Sequence, residues 1–515
     1  MDNFEQNGIW FLPETTEIQI TGTLSFSPEK KPQLNLVGEL KKNQNITEKF
    51  ENPLTYPIIN GWLISAPGKS EAVTLCNCSQ RKEIKTGIQT SEIYPDLIIK
   101  GYHFSGLEDI KFTALIVRYT QLEKWVNLPN VEITATPSSS NPNCYKEINV
   151  RQTIKEPIEI GKLNEFSISI LDKAWFTPQM FQFANFFGAD TSKLKLEERK
   201  KILFKADVPK SIDEFREVIY LFQEFLTFAC GQIVLPDTIE SLVLGKSIEY
   251  DFPMQIFMEM ENSENLISSG QQLTQKEVEK RFPIKIFYQN ISPQIYRYSF
   301  EENQILFRFT DIQDNSQMIL ESWKYISETL GSILEIYMRV YYTPIRHTKD
   351  LFLSLAQAIE GFHRIHHNGK YCDDSVFDNI REELKKVFSA ELKKHKVKEE
   401  ERDSILNKIQ YWNEFSLKER LENLFEDEKI CSCLPDRLFE NSDAKHNFVR
   451  QVRDTRGSLT HPTTSKTNKT KSKYIVTGVD LVFLTRKLRI ILEVCLLQTL
   501  GILPSKIKSI MEQRD

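Results

Sequence analysis

The segment RQVRDTRGSLTHPTTSKTNKTKSK, residues 450–473, gathers three arginines, one histidine and four lysines. Between Asp443 and Lys473, eight cations (Lys445, Arg450, Arg453, Arg456, Lys466, Lys469, Lys471, Lys473) stand against Asp443 and Asp454. That is an excess of six positive charges in a chain of net charge −5. Guanidinium groups grip phosphate oxygens in a bidentate way, and a histidine titrating near neutrality exchanges a proton with a hydroxyl beside that phosphate. Phosphate, adjacent hydroxyl and proton shuttle together describe RNA, whose 2′-OH is an internal nucleophile. A plainer arrangement accounts for the same residues: cations complementing the negative end of a helix, followed by a solvated Ser/Thr/Lys loop.

The elements that position these groups follow from the pattern. A helix is expected to start near Ser442, whose hydroxyl can cap it, and to run towards Leu459, with Pro462 holding His461 at or just past its end. Arg450, Arg453 and Arg456, spaced by three, fall near one face, where like charges destabilise an isolated helix. Five residues separate two side chains by about 140° and about 7.5 Å along the axis, so one Arg456 and one His461 need not meet on a single phosphate unaided.

Upstream, the chain changes texture. Up to about residue 175, EIQITGTLSF (Ile18, Ile20, Leu24) and QLNLVGEL (Leu34, Leu36, Leu40) alternate as half-buried strands must. Similar runs recur at EAVTLCNC, DLIIKGYHF, KFTALIVRYT, KEINVRQTI and FSISIL between Pro, Gly, Asn and Ser turn signals. Their spacing predicts a sandwich-like or strongly bent sheet. A helical insert is expected over about 176–230, in which Phe215, Val218, Ile219, Phe222, Phe225 and Leu226 share a side and Ser211 or Asp213 caps the start. FPIKIFYQN and NQILFRFT read as further strands. From about 316 the chain reads as helices: SQMILESWKYISETLGSILEIYMRVYYTP as one stripe stopped by Pro344, a helix closed by Asn368-Gly369, a long charged helix from Asp378 to Trp412, and two more near the end. The expected class is α+β, with a β-rich region over 1–315, divisible near 175, and an all-α bundle over 316–515.

Composition narrows the function classes. With 40% apolar and 27% charged residues of both signs, no global field argues for nucleic acid or membrane, so any such binding is local. The most apolar segment is interrupted by Arg216, Glu217, Gln223 and Glu224, unlike a membrane span. Eight scattered cysteines and an N-terminus without a secretion pattern predict free thiols and a cytoplasmic location. No Walker A loop, dinucleotide fingerprint or nucleophile elbow occurs, and no cofactor is expected. His363, His366 and His367 near Cys372, Asp373 and Asp374 have metal-like spacing, but they sit at a helix end where cations are expected, and no metal site is assigned.

RGSLTH has the R-x-x-x-x-H spacing of HEPN-domain ribonucleases. VRDTRGSLTHP, with FLSLAQAIEGFHR upstream, resembles the Apea-like HEPN branch. NGIWFLPETTEIQITGTLSFSPEKKPQLNLVGEL with IINGWLISAPGKSEAVTLCNC resembles the N-terminal domain that accompanies it in bacterial anti-phage proteins. The resemblance implies Arg456 and His461 as catalytic residues and Glu360 as a family glutamate on the upstream helix. Arg453, Asp454, Arg450, Lys466, Lys469, Lys471 and Lys473 are expected to support the site or bind RNA, Arg453 at a flanking phosphate and Asp454 by orienting Arg450 or His461. Glu360 would hold Arg456 or pair with Arg364. Gly457 stands where the family usually has a polar residue, most often Asn; the missing amide would weaken positioning, and the glycine would loosen the helix at the motif. The resemblance further implies metal-independent cleavage of tRNA or other host or phage RNA, a composite cleft in a homodimer or larger oligomer, and an N-terminal region that senses a phage trigger. Two other functions fit the residues: a non-catalytic HEPN module that binds RNA or protein, and a β-sandwich ligand-binding protein dimerised by its helices.

Overall fold

The computed structural model describes residues 3–40, 54–66, 69–83, 90–128, 131–137, 145–152, 156–174, 198–251, 274–289, 301–342, 347–461 and 473–513. Two compact units result, one of Met1–Gln223 with Val234–Tyr298, the other of Glu224–Ile233 with Ser299–Asp515.

In the first unit the alternating segments become strands β1 (Phe4–Leu12), β2 (Thr15–Ser27), β3 (Lys30–Val37), β4 (Thr55–Ala66), β5 (Lys69–Glu83), β6 (Thr90–Tyr94), β7 (Leu97–Lys100) and β8 (Lys111–Tyr119). They continue with β9 (Val131–Pro137), β10 (Tyr145–Gln152), β11 (Ile158–Leu163), β12 (Phe166–Ala174), β13 (Glu198–Ser211), β14 (Pro236–Asp251) and β15 (Thr274–Phe287). Thirteen of the described strands form one sheet, and β9 and β10 form a separate hairpin. The sheet closes on itself over six strands, because β5 pairs with β4 along one side and with β6 on the other, after β4, β1, β2, β3 and β6 have followed one another in a ring. The expected sandwich-like form is, in the described strands, a closed barrel continued by an open sheet. β5 makes this junction: Val73–Cys76 pair with β7, and Ser79–Glu83 pair with β6. From β7 the ladder runs on through β15, β14, β8, β13, β12 and β11.

The alternation places Leu24, Leu34, Leu36, Leu63, Val73 and Leu75 in the barrel core, while Ile18 is exposed. Trp10 fills the barrel, its indole donating to Gly22 O at 3.3 Å. Gly61 leaves it room, since an added Cβ would meet the Trp10 ring at 2.5 Å. Cys76 and Cys78 are free and buried, and burial pushes the Cys76 thiol up to about 12, which makes it unreactive.

Helix α1 (Ile212–Cys230) buries Phe215, Val218, Ile219, Phe222, Phe225 and Leu226, as the spacing predicts. Ser211 caps it: its Oγ accepts from Glu214 N at 3.3 Å while the Glu214 carboxylate accepts from Ser211 N at 2.9 Å. Of the insert expected over 176–230, residues 176–197 lie outside the described residues, and Glu198–Ser211 are not helical but form strand β13, paired with β12 and β8, so the helix occupies only Ile212–Cys230.

The second unit is helical: α2 (Ser316–Thr329), α3 (Gly331–Tyr342), α4 (Thr348–His367), α5 (Asp374–Lys394), α6 (Glu399–Lys408), α7 (Leu417–Glu426), α8 (Ser442–Thr460), α9 (Gly478–Thr499) and α10 (Pro504–Gln513). Three expectations are corrected. NQILFRFT is not a strand: consecutive Leu306 and Phe307 are both buried, and Leu306 N donates to Ala229 O at 2.8 Å, closing the end of α1 instead of joining a ladder. The stripe from Ser316 is two helices, because Leu330 N closes the first on Ile326 O and Gly331, a poor helix former, opens the second. The charged segment also breaks, at Lys396, whose φ is +54°. Asn368 and Gly369 take positive φ after α4 as expected.

Beyond its exposed first turns α9 becomes buried nearly all round, from Ile491 to Leu497, and forms the axis of the bundle, packed by α4, α8, α2 and α10. Trp323 stacks on Phe228 with centroids 5.6 Å apart, tying the last turn of α1 into this core. No described helix is long and apolar enough to cross a membrane.

Candidate functional site

Helix α8 carries the basic motif. Its N-cap is Asn441, not Ser442: the Asn441 side chain accepts from Ala444 N at 2.8 Å, while Ser442 lies inside the helix near His446. Phe448, Val449, Val452 and Thr455 form its buried stripe towards α7, α4 and α9. Arg450, Arg453 and Arg456 are thereby turned outwards. The structure separates them by giving each a different partner, which relieves the like-charge stacking expected from their spacing.

Arg456 Nη2 donates to Glu360 Oε2 on α4 at 3.0 Å, with Arg456 40% exposed. The other oxygen, Glu360 Oε1, lies 3.9 Å from Arg364 Nη2, which binds Glu414 at 2.8 Å. Both expected roles of Glu360 therefore coexist, with the shorter bond to Arg456. Arg453 Nε donates to Asp454 Oδ1 at 2.6 Å, a pairing of neighbours that the expected roles of the two residues did not include. Arg450 Nη1 donates to the Tyr474 hydroxyl at 2.9 Å, and this bond holds the Tyr474 phenol below its ordinary pKa.

The helix does not loosen at Gly457. It continues to Thr460, whose hydroxyl donates to Arg456 O at 2.9 Å, and His461 N closes the last turn on Gly457 O at 3.0 Å. His461 then leaves the helix at φ −128°, ψ 70° with its side chain exposed. Nothing lies within 4 Å of a Cβ built on Gly457. Gly457→Ala should therefore stabilise the bundle by about 0.5–1 kcal/mol through helix propensity alone, read as a shift in the urea midpoint with unchanged slope. Lys473 is exposed, its ammonium 5.2 Å from the Tyr474 ring centroid. Lys466, Lys469 and Lys471 lie outside the described residues.

Beneath this surface lies a second set of groups. Glu414 also accepts from Arg420 Nη2 at 3.2 Å; Arg420 is fully buried and its Nη1 donates to His363 Nδ1 at 3.2 Å. His363 Nε2 in turn donates to Asn423 Oδ1 at 2.9 Å. With both ring nitrogens engaged and a guanidinium against one of them, His363 is a core histidine, not the start of a cation site. Burial, assisted by His367 and Arg420, lowers its pKa to about 4. Among the described residues no cluster of three His, Cys, Asp or Glu could hold a metal.

Sequence reasoning named Arg456, His461 and Glu360 but not Tyr474 or the Arg420–Glu414 pair. The signal for Tyr474 was a lone aromatic closing a basic loop. For Arg420 there was none, since its partners lie 57 and 6 residues away, at His363 and Glu414.

A helical bundle with R-x-x-x-x-H at one helix end, its arginine held by a glutamate from a neighbouring helix, is of the HEPN class, and the model for Apea-like HEPN matches residues 353–504. The model for ApeA N-terminal domain 1 matches residues 5–323, more than half of the chain, and the chain belongs to this ApeA family. Neither the curated proteins nor the solved structures contain a match.

Proposed function

We propose that this chain is a metal-independent endoribonuclease acting in the cytoplasm as an abortive-infection effector against phage, with its helical domain from about residue 316 as the nuclease. The carrying observation is the pairing of an anchored and an exposed group at one helix end: Arg456, aimed by Glu360 at 3.0 Å, and His461 five residues on. His461 acts on the 2′-OH as base or on the departing 5′-oxygen as acid. Arg456 exchanges part of its bond to Glu360 for the phosphoryl oxygens, whose charge grows in the transition state. The products are a 2′,3′-cyclic phosphate and a 5′-OH. Arg450, Arg453 and Lys473 grip flanking phosphates. Incubation of the purified chain with total RNA and a tRNA pool in EDTA, alone and with infected-cell extract, tests this; retention of intact RNA under both conditions refutes it.

A second copy completes the site in this reading. Val479, Val482 and Phe483, at spacings of three and four on α9 just after the motif, are exposed at 69%, 38% and 54%. A two-fold dimer across this stripe would bring two arginines and two histidines to one scissile bond. Phe483→Asp should give a monomer by light scattering that cleaves RNA at least tenfold more slowly than the parent; a dimer of full activity would place the interface elsewhere.

A further inference from the structure

The first unit contains a pocket of about 230 Å³ where β1, β5, β7, β14 and β15 converge at the barrel junction. Its walls include Phe4, Ile286 and Phe287, with Lys100, Lys285 and Glu71 as charged groups. Lys100 and Lys285 stand directly opposite each other in the β7–β15 ladder, so both side chains leave the same face. Like charges in that relation destabilise a sheet.

Among the described residues these charges are not balanced: Glu240, which faces Lys285 across the β14–β15 ladder, is already bound by Lys201 at 2.6 Å. Lys100 is only 7% exposed, yet its ammonium has no carboxylate within 4 Å among the described residues. It donates to Gln6 Oε1 at 2.6 Å and lies 3.4 Å from the Phe4 ring centroid and 5.6 Å from that of Phe287. Burial lowers its pKa, opposed by Glu71 and aided by Lys285. Asp237, also in the lining, is already paired with Arg118 at 3.1 Å. Two ammoniums thus face one uncommitted carboxylate, and a buried charge held by an amide and an aromatic face is expensive without further compensation.

We propose that this pocket binds a small organic anion with a flat apolar body, its acid group on Lys100 and Lys285 and its body against Phe4 and Phe287. An anion relieves the opposition of the two lysines and supplies the missing partner of the buried one. The volume lies below the roughly 300–1,000 Å³ typical of pockets for larger ligands, which limits the occupant to a single ring or a comparable body. The site is independent of the nuclease motif, and its test does not use RNA.

Calorimetric titration of the full chain with benzoate, phenyl phosphate and inorganic phosphate tests the assignment and separates carboxylate from phosphate ligands. The expected result is saturable binding of at least one aromatic anion, tighter than inorganic phosphate. Lys285→Gln should weaken that binding at least fivefold, and Glu71→Gln should tighten it at least threefold. Lys285 is exposed and Glu71 half-buried, so neither variant removes a core contact. Failure of both aromatic anions to saturate, or a shift of the two variants in the same direction, overturns the proposal.

Discussion

RNA incubated with the His461→Ala chain should remain intact over times in which the parent degrades it, with the rate reduced by about 10²–10⁴-fold. That range is the usual contribution of a positioned general acid or base. Arg456→Ala should reduce it by about 10²–10³-fold, the loss expected when one donor to developing charge is removed. Arg456→Lys should not rescue it, because an ammonium cannot both hold Glu360 and present a planar fork to phosphate. These losses are separable from unfolding. His461 is exposed and Arg456 is 40% exposed, so both variants should unfold within about 1 kcal/mol of the parent. Cleavage by His461→Ala at the parental rate would remove the histidine from the reaction. Binding of RNA by all four chains, the parent included, without cleavage by any would make the basic surface a grip.

The second large effect is on stability against pH. His363 is neutral in the folded bundle down to about pH 4 because burial opposes its charge, whereas in the unfolded chain it titrates near its ordinary value of roughly 6.5. Between those values the unfolded state holds the extra proton, so stability falls as pH is lowered through this window and is fully present above it. The expected loss from His363 is on the order of 2–3 kcal/mol between pH 7 and pH 4. Urea unfolding followed by helical circular dichroism at pH 7, 5.5 and 4.5 measures it. His363→Gln keeps hydrogen-bonding groups towards Arg420 and Asn423 and removes the titration. Its stability should be lower than the parent's at pH 7 and decline less on acidification. Equal declines in the two chains would show that other groups set the acid limit.

Much of this architecture is legible in residue order because it is local. The alternation of Leu34 and Leu36, the Ser211–Glu214 cap and the Asn368-Gly369 stop each act within a few residues, and each appears where its pattern puts it. The barrel closure is different. It depends on β5 taking β7 and then β6 along one edge, a register set by strands whose own sequences resemble those of a sandwich. The break at Gly331 was hidden by an apolar stripe that runs through it unaltered. At the motif, spacing placed Arg456 and His461 at a helix end, and the Glu360 contact spans 96 residues, so only the family resemblance pointed to it. The Asp454–Arg453 pair was missed for the opposite reason: adjacent residues on a helix do not ordinarily face one another, yet here they bond at 2.6 Å.

The double use of β5 also sets an order of assembly during synthesis. Strands β1 to β6 need nothing beyond Tyr94 to close their ring, whereas β7 has its second neighbour only when β15, ending at Phe287, has been made. At roughly 5–20 residues per second that is a delay of about ten to forty seconds. During it, the free edge of Leu97–Lys100 is open to mispairing on the ribosome, and for the earlier part so are the edges of β8, until β13, ending at Ser211, and β14, ending at Asp251, have been made. The nascent chain is thus most vulnerable to aggregation after its barrel is finished and before its first bundle helices emerge, and this interval is where a chaperone would act on it.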